Sequence, residues 1–320
     1  MGRLVVVGGL NMDLHLFGVR HSVTQAPWVA ERHLAEPGGK GANAARAAAR
    51  LGAEVALVGR VGDDDFGEHC VAAVAGDGVD TSGVLVSAGQ ATGFVAIELR
   101  EGKHRSLLFS AGANDLLTWA DVEPHVAGLG PRDVLVVQAE IPAEPLGRLC
   151  EHAASHGIPL LLDPTPPDRI RREHLSAAEV ITPDLLEAAQ LTGRGDGSRL
   201  WPRLAAKELL ESGAQRVILK TGESGALLAD ADGVREIPTA TVQVVDETGA
   251  GDVFLAALAV RRLDGCGWED ATRFANSASA LSVSVVGLAL PSRDEVDRVA
   301  ARLARGPGDP AGGSAAPVGG

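Results

Sequence analysis

The sequence Asp246-Glu247-Thr248-Gly249-Ala250-Gly251-Asp252 runs directly into an apolar, alanine-rich stretch that predicts a helix. The small residues Gly249, Ala250 and Gly251 let the backbone come close to a ligand. Their N–H groups would lie at the N-terminus of that helix, where the macrodipole favours an anion such as a phosphate. A carboxylate is a poor phosphate ligand, but Asp252 is suited to be the general base for an alcohol that attacks the phosphate. Taken alone, the stretch fits an ordinary glycine turn capped by Asp252 equally well.

A second glycine-rich segment, Pro37-Gly38-Gly39-Lys40-Gly41-Ala42-Asn43, opens an alanine-rich helix that ends near Gly52. Its glycines expose backbone donors, Lys40 adds a charge, and the amide of Asn43 both donates and accepts hydrogen bonds. The segment is not a Walker loop, because the chain contains no G-x-x-x-x-G-K-[ST] motif. The first predicted strand likewise leads into no G-x-G-x-x-G dinucleotide motif.

In this order the two segments resemble the two signatures of the ribokinase (PfkB) family of carbohydrate kinases. Other stretches extend the resemblance along most of the chain. They are, in chain order, Gly9 to Leu14, Val58 to Gly67, Thr92-Gly93, Gly112 to Asn114, Gln138 to Pro142, Asp163 to Pro166, Thr182 to Glu187, Leu191 to Gly193 and Lys220 to Gly225. The resemblance implies a ribokinase-like α/β fold and ATP-dependent phosphorylation of a primary hydroxyl of a small sugar.

Composition narrows the class of protein. The chain has 320 residues and a formal net charge of −13, which argues against nucleic-acid binding through a basic face. The charge does not exclude a nucleotide, because backbone donors and a divalent metal can hold phosphates in an acidic protein. Cys70, Cys150 and Cys266 are far apart, which favours reduced thiols in a cytoplasmic protein over a disulfide framework or a zinc site. The sequence contains no run of the ~20 apolar residues that a membrane helix needs and no signal-peptide pattern at its start.

Short β-branched runs alternate with longer helical patterns, which predicts a central, mostly parallel sheet flanked by helices. We expect strands near 4–7, 55–58, 134–137, 160–162, 180–182 and 217–220. We expect helices near 41–51, 67–76, 144–156, 184–191, 199–212, 252–263, 268–285 and 293–304. Ligands bind outside the carboxyl ends of parallel strands. Asn11, Asp13 and Glu140 follow predicted strands directly, so we expect these side chains to converge there.

Two segments, 14–35 and 91–110, lack a helical period and alternate as strands do. Their pattern alone predicts hairpins. The resemblance implies that they form a small β-sheet lid over the substrate cleft, which in many relatives is also a dimer contact, so we expect a homodimer through the lid. We expect one kinase domain over 1–305. Residues 306–320 are nearly all Gly, Pro, Ala and Ser, which predicts a disordered tail with no catalytic part.

The resemblance assigns roles around the reacting hydroxyl. It implies that Asp252 acts on the sugar hydroxyl and that the N–H groups of Gly249, Ala250 and Gly251 hold the transferred phosphoryl group. Other residues match family positions that hydrogen-bond sugar hydroxyls: Asn11, Asp13, Gly39, Lys40, Asn43 and Glu140. The alternatives are a simple turn after the first strand for the first two residues and a surface lysine for Lys40.

Nucleotide and magnesium sites are also implied. Residues matching the family's loop over the ATP phosphates and its adenine pocket are Lys220, Thr221, Gly222, Gly225 and Asn276. The alternative for Asn276 is a helix-bending or solvent-facing residue, which a mid-helix asparagine is as often.

For magnesium, Asp184 and Glu187 lie three apart in a predicted helix, so both carboxylates share one face. Mg²⁺ prefers one or two carboxylates with waters and phosphates, so we expect it here through water. Relatives have Asn where this chain has Asp184. The alternative is an acidic helix start favoured by the dipole.

Many relatives bind a monovalent cation, usually K⁺, beside the anion hole. The positions that match its ligands are Asp246, Thr248, Ser282, Val285 and Gly287. The loop from Ser282 to Ser292 is shorter than in ribokinases proper, and one serine ligand is missing. We therefore expect a weakened K⁺ site.

The motifs are closer to ribokinases than to other branches, so the expected reaction is ribose to ribose 5-phosphate. The alternative is a kinase of the same fold that acts on a nucleoside, fructose or 2-keto-3-deoxygluconate. The lid decides between them: His15, Phe17 and Phe94 are candidates to face the pocket, and an apolar lid suits a nucleobase. A non-catalytic sugar-binding protein on a kinase fold is a third hypothesis. Retention of Asp252 and Glu187 argues against it.

Overall fold

A computed structural model describes residues 2–20, 28–100, 103–195, 198 and 200–305 of the chain. The predicted disordered tail, 306–320, lies outside the described residues. So do 21–27 and 101–102, which belong to the two predicted lid segments.

The strands, in chain order, are β1 (Leu4–Val7), β2 (Asn11–Phe17), β3 (Arg32–Gly38), β4 (Val55–Gly62), β5 (Asp80–Ser87), β6 (Gly93–Arg100), β7 (Lys103–Ser110), β8 (Val134–Gln138), β9 (Leu160–Asp163), β10 (Val180–Ile181), β11 (Val217–Lys220), β12 (Ala226–Asp230) and β13 (Gly233–Ile237). The α-helices are α1 (Lys40–Arg50), α2 (Asp65–Gly76), α3 (Trp119–Val126), α4 (Ala143–His156), α5 (Arg172–Ala177), α6 (Leu185–Thr192), α7 (Trp201–Glu211), α8 (Ala250–Leu263), α9 (Trp268–Ser282) and α10 (Arg293–Arg305).

The large sheet has nine strands within the described residues, in the order β13-β12-β11-β10-β9-β8-β1-β4-β5. Every pair from β5 to β11 is parallel, whereas β11, β12 and β13 pair antiparallel. The central strands are continuous valine and leucine runs, buried on both faces, as helices on both sides require. One core layer lies between the sheet and α1, α8 and α9, and the other between the sheet and α3, α4 and α7. The predicted mostly parallel sheet flanked by helices is confirmed.

The small sheet, which we define as strands β3-β2-β6-β7 in that order, is separate from the large one. β2 pairs antiparallel with β3 and parallel with β6. The predicted small sheet is therefore present. It begins earlier than the pattern suggested, because Asn11 and Asp13 are part of β2 itself and not of a turn after β1. The carboxyl end of β1 thus leads straight into the small sheet, and both residues lie where the two sheets meet.

Helices long and apolar enough to span a bilayer do not occur in the described ranges.

Candidate active site

The N-termini of two helices, α1 and α8, meet at the centre of the candidate site. Both helices are rich in alanine, and their short side chains let them pack closely against each other. Nδ2 of Asn43 in α1 donates a 2.8 Å hydrogen bond to Oδ2 of Asp252 in α8, 209 residues away in sequence. Nζ of Lys40, the first residue of α1, lies 3.7 Å from Oδ1 of Asp252. The two glycine-rich motifs are thus joined by direct side-chain contacts.

Asp252 is a buried carboxylate in the first turn of α8. Burial raises its pKa above the usual value, while Lys40 and Asn43 oppose that rise. A carboxylate with a raised pKa is a stronger proton acceptor, which suits a general base.

Gly249 is the N-cap of α8 and has a φ of 72°, in the left-handed region. The backbone conformation favours glycine, and a Cβ at this position would lie 2.4 Å from Cδ1 of Leu288, so it would also displace that side chain. The N–H of Ala250 donates a long hydrogen bond of 3.3 Å to the carbonyl oxygen of Glu247. First-turn N–H groups of a helix have no partner within the helix, so this turn can present donors to an anion.

On the small-sheet side, Asn114 fixes Asn11. Nδ2 of Asn114 donates to Oδ1 of Asn11 at 2.9 Å, and its Oδ1 accepts from the N–H of Leu10 at 3.0 Å. Asp13, also on β2, is buried, and its Oδ1 makes no hydrogen bond within the described part of the chain. Burial raises the pKa of Asp13 to about 8, and the nearby negative charges of Asp252 and Glu140 add to the rise. A buried acceptor without a partner costs free energy, so the site favours a ligand that donates to it.

Glu140 lies two residues after the end of β8, at the same edge of the sheet. Burial raises its pKa to about 7, and the charge of Lys40 opposes the rise. Burial alone would lower the pKa of Lys40, but Asp252 and the other carboxylates raise it well above the usual value, so the ammonium stays charged. Lys40 thus interacts by its charge both with Glu140, of the expected sugar set, and with Asp252, the expected base.

Asp163, at the end of β9, is a fully buried site residue that had no predicted role. Its Oδ2 accepts a hydrogen bond from Nζ of Lys220 at 3.2 Å, and its Oδ1 accepts from Oγ1 of Thr165 at 2.6 Å. Burial alone would raise the pKa of Asp163, but Lys220 and Lys40 lower it overall, so the group is ionised. A Cβ on Gly251 would lie 3.4 Å from Nζ of Lys220, so this ammonium sits beside the α8 N-terminus. The sequence could have indicated this residue, because Asp163 directly follows the strand predicted over 160–162, as Glu140 follows the strand predicted over 134–137.

Asp184 and Glu187 form a reciprocal capping box at the start of α6. The N–H of Glu187 donates to Oδ1 of Asp184 at 2.8 Å, and the N–H of Asp184 donates to Oε2 of Glu187 at 2.7 Å. Oγ1 of Thr165 lies within hydrogen-bond distance of both Oε1 of Glu187 and Oδ1 of Asp163, so its single hydrogen is shared between the two carboxyl groups. Burial raises the pKa of Glu187 above the usual value. The helix-start role considered as the alternative is therefore present, and both carboxylates also line the adjoining cavity.

That cavity has a volume of about 810 Å³ and adjoins the N-terminus of α8. Predicted nucleotide residues that line it are Lys220, Gly222, Gly225 and Asn276. Thr221 instead closes the loop, because its N–H and Oγ1 both donate to the carbonyl oxygen of Gly225, at 2.8 and 3.0 Å. Nδ2 of Asn276 donates to the carbonyl oxygens of Ile237 and Pro238, at 2.8 and 3.2 Å. The side-chain amide of Asn276 thus fixes the backbone at Ile237 and Pro238, next to the cavity.

The residues expected at the K⁺ site come together only in part. Oδ1 of Asp246 accepts from the N–H and Oγ1 of Thr248, at 2.9 and 2.7 Å, and Oδ2 accepts from the N–H of Gly287 at 3.0 Å. Burial alone would raise the pKa of Asp246, but these hydrogen bonds lower it overall. Oγ of Ser282 donates to the carbonyl oxygen of Ser279, and the side chain of Val285 is half exposed. The two loops meet at Asp246 and Gly287.

Within the described residues, no group of three or more His, Cys, Asp or Glu side chains is arranged to hold a metal ion. A Mg²⁺ ion bound through one or two carboxylates, waters and phosphates needs no such group. Asp184 and Glu187 fit that requirement, because both border the cavity in which phosphates would lie.

Comparisons with known proteins agree with this geometry. The pfkB family carbohydrate kinase profile matches residues 1–295. The ribokinase of Bacillus subtilis is 34% identical over 301 residues, which cover 93% of this chain and 99% of the relative. A deoxyribokinase of Salmonella typhimurium is 31% identical over 251 residues, covering 78% of this chain and 82% of the relative. The structure of Arabidopsis thaliana ribokinase complexed with ribose and ATP superimposes with a TM-score of 0.81 at 29% identity, covering 94% of this chain and 99% of that one.

Proposed function

The chain belongs to the pfkB family of carbohydrate kinases, and on that premise we propose that it transfers the γ-phosphoryl group of ATP to the primary hydroxyl of ribose, forming ribose 5-phosphate. One observation carries the proposal. Asp252 lies at the N-terminus of α8, hydrogen-bonded to Asn43 and 3.7 Å from Nζ of Lys40. It lines the cavity of about 810 Å³, and its charge also acts on the buried Asp13, beside which we place the sugar in what we call the Asp13 pocket. A base, an anion-binding helix terminus and two substrate compartments therefore meet at one point.

Asp252 takes the proton of the sugar hydroxyl. The hydroxyl oxygen attacks the γ-phosphorus, an O–P bond forms, and the bond to the bridging oxygen of ADP breaks. Oδ2 of Asp252 accepts the hydrogen bond from Asn43, whereas Oδ1 lies 3.7 Å from Nζ of Lys40 and is the proton acceptor in this proposal. Burial keeps the pKa of Asp252 raised, which favours acceptance of the proton.

Charge on the transferred phosphoryl group is offset by this chain's own cations and dipoles. The backbone N–H groups of Gly249, Ala250 and Gly251 supply donors at the positive end of α8. Burial alone would lower the pKa of Lys220, but Asp163 and Glu187 raise it overall, so the ammonium next to Gly251 stays charged. The ion pair with Asp163 holds that ammonium in place.

For ATP, the cavity provides the phosphate loop from Lys220 to Gly225 and a wall of small residues for the base. Its volume of about 810 Å³ is within the usual range for ligand pockets. Asp184 and Glu187 would hold Mg²⁺ through water, and the ion would offset the negative charge of the phosphates. K⁺ would be held by Asp246, Thr248 and the carbonyl groups of the Ser282 to Gly287 loop.

A polyol is favoured over a nucleoside because the small-sheet side of the site is polar. Asn11 and Asp13 come from β2, and Glu140 from the end of β8. Two of the candidate aromatic residues are engaged elsewhere: Phe94 stacks on Phe66 with ring centroids 6.3 Å apart, and Phe17 lies 3.8 Å from the guanidinium of Arg32. The same-fold alternatives are a nucleoside, fructose or 2-keto-3-deoxygluconate, and 2-deoxyribose joins them because a deoxyribokinase is among the relatives.

The test is an ADP-release screen of the purified protein with ATP and Mg²⁺. Ribose, 2-deoxyribose, fructose, 2-keto-3-deoxygluconate and a nucleoside panel are compared by kcat/KM, with Asp252→Asn protein as the blank. We expect ribose to give the largest kcat/KM. A larger value for another acceptor would replace ribose, and sugar binding by calorimetry without ADP release would indicate a non-catalytic sugar-binding protein.

We also propose that the chain forms a homodimer through the small sheet. Its edge strand β7 exposes Leu107, Leu108 and Phe109, with 59%, 71% and 45% of their surface accessible. An apolar edge strand favours pairing with a second copy. Light scattering of the purified protein tests this. A cytoplasmic location stays a prediction from the sequence.

A further inference from the structure

Glu36, on β3 of the small sheet, makes contacts that the proposed chemistry does not require. It lies directly across from Asp13 in the antiparallel pairing of β2 with β3. Directly opposed residues project to the same face, and two carboxylates there repel each other. Glu36 is one of the charges that raise the pKa of Asp13. A hydrogen-bond donor to Glu36 would offset this repulsion.

The compensating contact is with the loop after α9. Oε1 of Glu36 accepts a hydrogen bond from the N–H of Leu288 at 3.2 Å, across 252 residues of sequence. Gly287 has a φ of 78°, and a Cβ there would lie 2.7 Å from Oε1 of Glu36, so only glycine lets the carboxylate come this close. Gly287 in turn donates its N–H to Asp246. The small sheet is therefore bonded to the loop that borders the anion hole.

Leu288 continues the connection to the anion hole. Its Cδ1 lies only 2.4 Å from the position that a Cβ of Gly249 would occupy, so the leucine methyl packs on the backbone of the α8 N-cap. Leu288 also packs against the core layer that contains α8. A displacement of its backbone would be transmitted to Gly249, because packed side chains do not absorb such shifts freely.

The contact also has room to tighten. Nε2 of the fully buried His15, on β2, lies 3.6 Å from Oε1 of Glu36, beyond hydrogen-bond length. Both ring nitrogens of His15 lack a hydrogen bond within the described residues. A small movement of β3 against β2 would convert this approach into a hydrogen bond.

We propose that Glu36 is a positioning residue that couples the small sheet to the anion hole through Leu288. When sugar occupies the Asp13 pocket and fixes the small sheet, the Glu36 carboxylate fixes the N–H of Leu288. Leu288 then holds Gly249 in the geometry that receives the phosphoryl group. This inference rests on the proposed function, since it assumes that a sugar binds beside Asp13.

The test compares Glu36→Ala, Glu36→Gln and Leu288→Ala with Glu31→Ala. Glu31 is an exposed glutamate just before β3 and is the matched control. Hydrogen exchange of the 282–290 segment is measured with and without D-ribose, in the absence of nucleotide. We expect ribose to slow exchange in the wild type and in Glu31→Ala, which both keep Glu36. We expect the same in Glu36→Gln, because its side-chain amide oxygen can still accept the hydrogen bond from the N–H of Leu288. We expect no slowing in Glu36→Ala.

Kinetics give the second readout. Glu36→Ala and Leu288→Ala should each lower kcat roughly tenfold, while the KM for ribose does not rise, because loss of Glu36 relieves the repulsion on Asp13. A merely structural role would raise KM and lower the melting temperature together. If Glu36→Ala fails to fold, Leu288→Ala still tests the coupling.

Two results would overturn the coupling. One is wild-type kcat in both Glu36→Ala and Leu288→Ala, and the other is equal ribose protection of 282–290 in Glu36→Ala. A wild-type protein that turns over no sugar would instead refute the proposed function, and the coupling with it. An active wild type with unaffected variants would refute the coupling alone.

Discussion

The two compartments of the site are built differently. The sugar compartment is made of charged and polar side chains that contact each other, such as Asn43 with Asp252 and Asn114 with Asn11. The nucleotide compartment is a large cavity whose wall from Thr239 to Val244 belongs to no helix or strand and carries no charge. The sugar compartment thus consists of polar side chains that contact one another, whereas the nucleotide compartment combines this uncharged wall with the charged side chains of Lys220, Asp184 and Glu187. Variants should therefore separate by compartment, with sugar parameters and ATP parameters changing independently.

The largest effect should come from the residue between the two compartments. Asp252→Asn keeps the shape and the contact with Asn43 but removes the proton acceptor. We expect kcat to fall at least ~10²-fold, with ATP affinity nearly unchanged in calorimetry. Asp264→Asn, at the other end of α8, is the matched control and should retain activity. Turnover at the wild-type rate in Asp252→Asn would refute the assignment of the base.

Within the sugar compartment, Asp13→Asn and Glu140→Gln should each weaken a hydrogen bond to a sugar hydroxyl. A buried hydrogen bond of this kind contributes roughly 1–3 kcal/mol, or about 5- to 150-fold in the KM for ribose. The KM for ATP should stay within about twofold. Titrations with each ligand alone would contradict the compartment model if both affinities fell equally.

The same two carboxyl groups predict a pH dependence that only the sugar side should show. Burial holds the pKa of Asp13 at about 8 and that of Glu140 at about 7, so at pH 6 both are mainly protonated. An ionised carboxylate is the stronger acceptor for a hydroxyl donor. Sugar affinity should therefore rise as pH increases from 6 to 8.5, on the order of tenfold.

Asp13→Asn cannot ionise and should flatten this profile, while the affinity for ATP should change little in either protein. Calorimetry in buffers of different ionisation enthalpy should also reveal proton release on ribose binding. A ribose affinity that is independent of pH in the wild type would show that the two carboxyl groups are already ionised.

The sequence predicts those elements whose own residue pattern determines their structure. The strand at Leu4–Val7 and the one at Val217–Lys220 were predicted at their observed bounds, because buried parallel strands are continuous apolar runs. β5, β12, β13, α3 and α5 were not predicted. The antiparallel hairpin of β12 and β13 is short. It is defined by the pairing of β12 with β11, and its own residue pattern does not predict it. The predicted strand at 180–182 ends at Ile181.

For the site, residues within glycine-rich motifs could be named from sequence, because their chemistry is local. Partners far away in sequence could not. Asp163 meets Lys220 across 57 residues, and Asn114 meets Asn11 across 103. The sequence around Glu36 does not indicate its contact with Leu288, because only the packing of the small sheet on the core brings the two residues together.

On the nucleotide side, Glu187→Gln and Asp184→Asn test the metal role separately from the helix cap. Both substitutions keep an oxygen that can accept the reciprocal cap hydrogen bond, so α6 should remain folded. Glu187→Gln should raise the Mg²⁺ concentration for half-maximal rate about tenfold. Asp184→Asn should be milder, because relatives carry Asn there. The KM for ribose should not change. If Asp184→Asn were as damaging as Asp252→Asn, the proposed role of Asp184 would be wrong.

The smallest expected effect concerns the K⁺ site, at the edge of the nucleotide compartment. Both carboxylate oxygens of Asp246 already accept hydrogen bonds, from Thr248 and Gly287, and the hydroxyl of Ser282 donates to the carbonyl oxygen of Ser279. These hydrogen bonds thus already stabilise part of the negative charge that a cation would neutralise, and the shortened loop lacks one cation ligand. We expect activation by K⁺ of only a few-fold, measured as the initial rate at constant ionic strength with choline chloride as the replacement salt. Asp246→Asn should remove even that activation, because the amide loses the charge that attracts the cation. A complete dependence on K⁺ in the wild type would mean that the backbone carbonyl groups of this loop form a full coordination shell despite its length.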